Sequence, residues 1–321
     1  MKKRTVFLLM GSIVALTAVF FAVVSILHLE TKIKPAVTNV ASGGGSKVFT
    51  NALYGDFEQP LKKPMDVTKV GDYVYVTDAN TQQVQVFNKS GDFAFKFGKS
   101  GDKEGEFQFP YGIDGDEEQN IYVADMNNGK ISIFDSKGKF LKYFNDQEKV
   151  LQAPGGLRIF NKKLYVTDIK ANKLFVFNLS GKKLMEVGGP GDAEGKFIAP
   201  NALTVDIDKN IYVTDSGNNR VEVFDEKGKF LRSINGSEDG KGAPTFLNPR
   251  GVGIDSKGDV YVVNSLSHTV YAFDKNGKEL YELGGMGTST DKFYLPNGLF
   301  IDDSDNVYVT DTVNQRVSIF Q

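Results

Sequence analysis

A proline recurs along this 321-residue chain at positions 64, 110, 154, 200, 249 and 296, with spacings of 46, 44, 46, 49 and 47 residues. The residues after each proline also repeat. In "PNALTVDIDKNIYVTDSGNNRVEVFDEKGKFLRSI", which begins at Pro200, a short apolar run (202–205) ends in an Asp/Lys/Asn turn. A second run (211–214) leads to a Gly/Asn turn, a third (221–224) to Asp225-Glu-Lys-Gly228, and a fourth (230–234) closes the unit. Short apolar runs bounded by Gly, Asn and Asp read as β-strands joined by tight turns. The third runs, VQVF, ISIF, VEVF and VSIF, alternate with period two, as half-buried strands do. The second runs are continuously apolar, as strands covered on both faces are.

A period of 40–50 residues with four strands per unit predicts an all-β chain folded as a six-bladed β-propeller. One four-stranded blade cannot bury both of its faces, so blades must stack around an axis. The 25 Phe and 13 Tyr suit the wedges between blades, and the absence of Trp argues against WD40 repeats. The sixth unit supplies three runs, the third being Val317–Phe320. The segment before the first proline, Val48-Phe-Thr-Asn-Ala-Leu-Tyr54, resembles the last run of other units. Residues 48–54 are therefore predicted to pair with 317–320, so that the ring closes with an N-terminal strand and leaves no open edge.

The repeated pattern P-x-G-[IVL], then G-x-[IVL]-Y-V-[TA]-D, N-x-R-[IV]-x-[VI]-F-[DN] and G-x-[FL], resembles the NHL-repeat β-propellers. It is clearest in "PYGIDGDEEQNIYVADMNNGKISIFDSKGKF", in the Pro200 unit and in "PNGLFIDDSDNVYVTDTVNQRVSIF", and covers about 48–321. The tripeptide that names that family is absent, and its Arg before the third strand stands only at Arg220 and Arg316. The resemblance implies a scaffold on which many activities are built. Many such propellers are interaction platforms, including some held outside bacterial membranes. Others are zinc lyases that use histidines, and related six-bladed hydrolases hold axial calcium.

Composition narrows these classes. With no cysteine, the chain has no disulfide, thiolate zinc site, c-type haem link or lipoprotein anchor. Only His28 and His268 are present, too few for histidine-bound zinc. Residues 1–47 hold six Lys/Arg and one acid, so the totals of 38 and 40 leave 32 bases and 39 acids after residue 47, a net of −7. A nucleic-acid partner is not expected of so acidic a body. The chain opens Met1-Lys-Lys-Arg4, followed by an uncharged apolar run of 22 residues, Val6–Leu27, long enough to cross a bilayer as a helix. No convincing small-x-small cleavage site ends it, so it reads as an uncleaved signal anchor rather than a cleaved signal peptide. The flanking Lys2-Lys3-Arg4 place the N-terminus in the cytoplasm. The expected organisation is thus a cytoplasmic tip and transmembrane anchor at 1–29, a flexible tether at 30–47 and an extracytoplasmic propeller at 48–321.

The tetrapeptide YVTD ends the second run four times, at Asp78, Asp168, Asp215 and Asp311, with YVAD at Asp125 and YVVN at Asn264. Such residues after a buried strand accept hydrogen bonds from backbone N–H groups and hold turns. One copy is an amide, and six-fold symmetry keeps all six off the axis. They are expected to be parts of the blade rather than catalytic acids. Gly-rich stretches at 98–105, 188–195 and 284–287 fall between units and read as connectors rather than phosphate loops, and His268 as a surface loop residue. The candidate ligand- or partner-binding residues come just after the opening prolines, where the channel mouth should lie: Asp66, Tyr111, Asn201, Arg250 and Asn297, with Met65 and Gly155 completing the set. Their variety suggests a ligand-facing surface, and drift among unconstrained loop residues explains it equally well. One acid is few for a calcium site and Arg250 opposes one, so no catalytic residue, metal ligand or cofactor is assigned, with calcium left open. A small polar or anionic ligand, or a peptide end, suits the set better. Two functions remain: a membrane-tethered scaffold docking a protein, peptide or glycan, or a lyase or hydrolase working at the mouth with Asp66, Tyr111 and Arg250.

Overall fold

A computed structural model describes residues 46–144, 150–237 and 242–321. The anchor expected at 1–29 and nearly all of the tether lie outside these residues. Among those described, no helix is long and apolar enough to cross a membrane. The described residues form six antiparallel four-stranded sheets, and the only helical turn among them is a short 3-10 segment, Ser216–Asn218. The inner strands are Pro64–Val70, Pro110–Gly115, Pro154–Phe160, Pro200–Val205, Pro249–Ile254 and Pro296–Ile301, for blades 1 to 6. Each touches the next, and the sixth touches the first, so the blades form a closed ring.

Closure occurs as the sequence predicts. Phe49–Leu53 is the outer strand of blade 6, paired antiparallel with Arg316–Phe320. Val48 and Gln321 exchange both backbone hydrogen bonds, at 2.7 and 2.9 Å. The Phe49 ring meets Phe320 edge-on at 5.9 Å, and Leu53 is buried with Leu61, Val67 and Tyr308 between blades 6 and 1.

The blades are wedged apart by aromatic residues carried on the connectors. Phe107, Phe197, Phe246 and Phe293 are buried, and each packs on the last Phe of the third strand in the following blade, at 5.6–5.7 Å. Gly98, Gly188 and Gly284 let these rings in. Their φ angles are positive, and a Cβ there would lie 2.2–2.5 Å from the ring. The Gly-rich stretches are connectors, as the sequence suggests.

The YVTD acids are buried parts of the blade. Asp78 accepts from the backbone N–H groups of Lys62 and Lys63, at 2.6 and 3.0 Å, and of Asn80 and Thr81 in the next turn. Asp125 and Asp168 repeat this on residues 108–109 and 152–153. Each carboxylate therefore ties the turn after its strand to the connector before its own proline. In blades 4 and 6 the Arg of the NHL-like pattern joins in. Arg220 donates to Asp215 and to the Ala193 and Lys196 carbonyls, and Arg316 to Asp311 and to the Ser289 and Lys292 carbonyls.

Candidate functional site

All six inner strands carry a β-bulge just after the proline, shown by a register shift such as that between Pro64 and Val67. The bulge puts two adjacent residues in different settings. The first after each proline is Met65, Tyr111, Gly155, Asn201, Arg250 or Asn297, and five of these six line a cavity of about 460 Å³ at the mouth. The second is Asp66, Gly112, Gly156, Ala202, Gly251 or Gly298. A Cβ on any of those four glycines would come within 2.4–2.7 Å of a backbone carbonyl oxygen in the next blade. Asp66 therefore occupies a position where its counterparts are glycine or alanine, and it does not line the cavity. Grouping it with the mouth residues puts it out of step by one; the residue of blade 1 that faces the mouth is Met65.

Two further rings of residues complete the cavity. The residue after each YVTD acid contributes Met126, Ile169, Ser216, Ser265 and Thr312, and the residue before each proline contributes Lys63, Phe109, Ala199, Asn248 and Leu295. Sequence reasoning passed over both rings, although their fixed offsets from the repeat marked them. They divide the mouth into halves. Blades 1 to 3 present Met65, Phe109, Tyr111, Met126 and Ile169, packed in part as a small apolar cluster, together with the Lys63 ammonium. Blades 4 to 6 present mainly amides, hydroxyls and a guanidinium.

A hydrogen-bond network fixes the floor. The buried Tyr111 hydroxyl donates to Asn201 Oδ1 at 2.6 Å and lies 3.5 Å from the Asn297 carboxamide. Arg250 Nη1 donates to the same Asn201 oxygen at 2.8 Å, and its Nε donates to Asn248 Oδ1. Asn297 Nδ2 donates to the Met65 carbonyl, and Asn201 Nδ2 to the Ser216 hydroxyl. Tyr111, Asn201, Arg250 and Asn297 are thus brought together from blades 2, 4, 5 and 6. The cavity has two charged lining residues, Lys63 and Arg250, and neither has an ion-pair partner among the described residues. Lys63 Nζ sits 5.0 Å from the centre of the Phe109 ring.

Beneath the floor, the axis is filled by a buried ionic cluster. Arg158 reaches from blade 3 to both Asp66 oxygens, at 3.0 and 3.3 Å. It also donates to the carbonyls of Ile113 in blade 2, Leu157 in its own blade and Leu299 in blade 6. Asp114 accepts from the Thr68 hydroxyl at 2.8 Å and from the Ile159 N–H at 2.7 Å. Burial pushes the Asp114 carboxyl above the usual carboxylate range, against the pull of Arg158. Arg158 is inconspicuous in the sequence because "LRIF" reads as an ordinary strand.

His268 is not at the mouth. Its Nδ1 accepts the Leu295 N–H at 3.0 Å and its ring packs on Tyr294, so it braces a connector. Among the described residues, no three His, Cys, Asp or Glu side chains are grouped as metal ligands.

The chain belongs to a family described as six-bladed β-propellers, whose matches cover 56–145, 144–212 and 206–260. An NHL repeat is matched at 293–320, in blade 6. Protein brain tumor of Drosophila melanogaster is 27% identical over 149 residues, which are 44% of this chain and 14% of that protein. Among solved structures, a gluconolactonase from Xanthomonas campestris superposes with a TM-score of 0.65 at 14% identity, covering 89% of this chain and 94% of that one. A virginiamycin B lyase from Staphylococcus aureus, solved with quinupristin, gives 0.58 at 15% identity and 80% of each chain. The WD40 propeller of Doa1 gives 0.58 at 11% identity, covering 87% and 98%. At these identities, likeness to enzymes and to a WD40 domain alike reflects the shared fold.

Proposed function

We propose that this propeller is a binding module that docks a polypeptide partner at its axial mouth, and that the apolar segment at 1–29 tethers it to the outer face of a membrane. The observation that carries the docking role is the mouth itself. It is a cup whose floor is held by side chains of four blades, and among the described residues no carboxylate lines it. Around it, Ile198, Leu247, Leu266 and Val313 are exposed. Backbone hydrogen bonds fix these residues on the same face. Gly217 N–H donates to the Ile198 carbonyl, Leu266 to Leu247, and Val313 to Tyr294. A preorganised pocket with an apolar rim is what a protein partner engages. The tether rests on the 22-residue apolar run and its basic flank.

The test is capture of membrane and secreted proteins by purified residues 46–321, compared with a variant carrying Leu247→Asp and Leu266→Asp. Both residues are exposed, and matching melting curves for variant and parent check that the fold is kept. Partners lost from the variant support docking at this face. An unchanged set of partners refutes it. Carbonate washing of membranes tests the tether, since an anchored chain stays with the bilayer and a peripheral one is released.

A further inference from the structure

Resting on the docking reading, we infer that the mouth receives the C-terminal end of a partner polypeptide, with the terminal carboxylate on Arg250 and an apolar last side chain against Phe109 and Met126. Arg250 is a half-buried guanidinium with no carboxylate partner among the described residues; Arg158, Arg220 and Arg316 each have one, and Arg232, which also has none, donates to the Lys275 carbonyl away from the mouth lining. Its Nε and Nη1 are held by two neutral carboxamides, of Asn248 and Asn201, which orient the planar fork without neutralising it. Nη2 is left without a protein partner among the described residues. A fixed guanidinium edge with no counter-ion is a receptor for a carboxylate, which it binds in two parallel hydrogen bonds. The body after residue 47 carries a net −7, so a cationic mouth with no acidic lining residue among those described goes against the trend of the sequence.

Blade 5 stands opposite blade 2 in a six-bladed ring. Across the axis from Arg250 are therefore Phe109, stacked on Tyr111 at 6.3 Å, and Met126. A group with a carboxylate at one end and an apolar side chain at the other matches this division. The C-terminal residue of a peptide is such a group, and so is a free small acid. The exposed Ile198, Leu247, Leu266 and Val313 extend an apolar track outside the cup and favour the peptide, whose preceding residues would lie along it.

The experiment uses the full chain and four probes: hexapeptide pools ending in Leu or Phe with a free carboxylate, the same pools amidated, N-acetyl-leucine and N-acetyl-leucinamide. Binding is read by calorimetry and by amide shifts. The expected result is that free-acid peptides bind at least about tenfold more tightly than amidated ones, the loss on removing a charge-assisted hydrogen bond. Arg250→Ala should erase that difference, and Arg250→Lys should restore only part of it. Equal binding of acid and amide, no binding of any acid, or a preference unaffected by Arg250→Ala overturns the inference. Binding of N-acetyl-leucine but not of the peptides also overturns it, by showing a small-acid pocket. If acids fail while partners captured from cells still depend on Leu247 and Leu266, this inference fails and docking at the face stands. If both fail, the docking reading falls too.

Discussion

At the scale of single residues, the repeated YVTD divides into two jobs, of which the sequence showed one. The acid was legible because Asp and Asn after a buried strand have a known local use. The threonine was not, because its partner is in the next blade. Thr77 Oγ1 accepts the bulged Asp66 N–H at 3.0 Å and donates to the Tyr111 carbonyl at 2.6 Å, and Thr167 donates likewise to the Asn201 carbonyl. The hydroxyl satisfies the N–H that the bulge frees and staples adjoining inner strands together. For the acid, Asp215→Ala removes bonds from the Ile198 N–H, Asn218 and Arg220 and leaves Arg220 with Glu222 as its remaining carboxylate partner among the described residues. A loss of about 3 kcal/mol in urea unfolding is expected. Asp215→Asn should cost less, since Asn264 already fills this place in blade 5, where it accepts the Leu247 N–H while its Nδ2 lacks a partner. A full-strength unfolding transition for Asp215→Ala would show that the acid does not hold the blade. Glu222 allows a second measurement. It is fully buried, with one oxygen unpartnered, and burial raises its carboxyl from 4.5 to about 7, opposed by Arg220. Between those values the folded chain holds a proton that the unfolded chain has released, so stability falls as pH rises from 4.5 to 7. Glu222→Gln should flatten that decline by on the order of 3 kcal/mol. Parallel slopes for parent and variant would disprove the protonated carboxyl.

At the scale of strands, six proline-led units and an unpaired edge at Val317–Phe320 were enough to place Phe49–Leu53, because an open edge over an apolar face has few other remedies. A chain starting at Ser46 should unfold as cooperatively as any longer one, whereas a chain starting at Gly55 loses the outer strand of blade 6. Burial of Leu53 alone is worth roughly 1.5–3 kcal/mol, and the half-buried Phe49, edge-on to Phe320, adds to it. With the ladder bonds added, the shorter chain should melt at a lower temperature with a broader transition, or fail to fold. Identical melting curves for the two would mean that closure adds nothing. What the strands hid was the bulge. Period-two reasoning cannot tell which of two adjacent residues turns toward the mouth when an extra residue interrupts the alternation. Hence Asp66 reads as a companion of Tyr111 and Arg250, although it serves the axis below them.

At the scale of the whole molecule, Arg158 does what no blade can do alone. Its partners, Asp66, Ile113 and Leu299, lie 92, 45 and 141 residues away in sequence, so only the closed ring brings them together. Nothing local in the sequence announces such a contact. Burying these charges is costly unless they stay matched. Arg158→Met strands Asp66 and Asp114 in the interior and should lower stability by about 3–5 kcal/mol near neutral pH. Its pH dependence carries the argument further. Without the guanidinium that opposes burial, the Asp114 carboxyl is pushed further above its usual range, so the folded state holds a proton there at a pH where the unfolded chain has released it. The deficit relative to the parent should therefore shrink as pH is lowered from 7 toward 5, and adding Asp66→Asn and Asp114→Asn should recover much of it at pH 7. A pH-independent deficit, unchanged in the triple variant, would mean that Arg158 acts through packing and its carbonyl contacts rather than as the counter-ion at the centre of the ring.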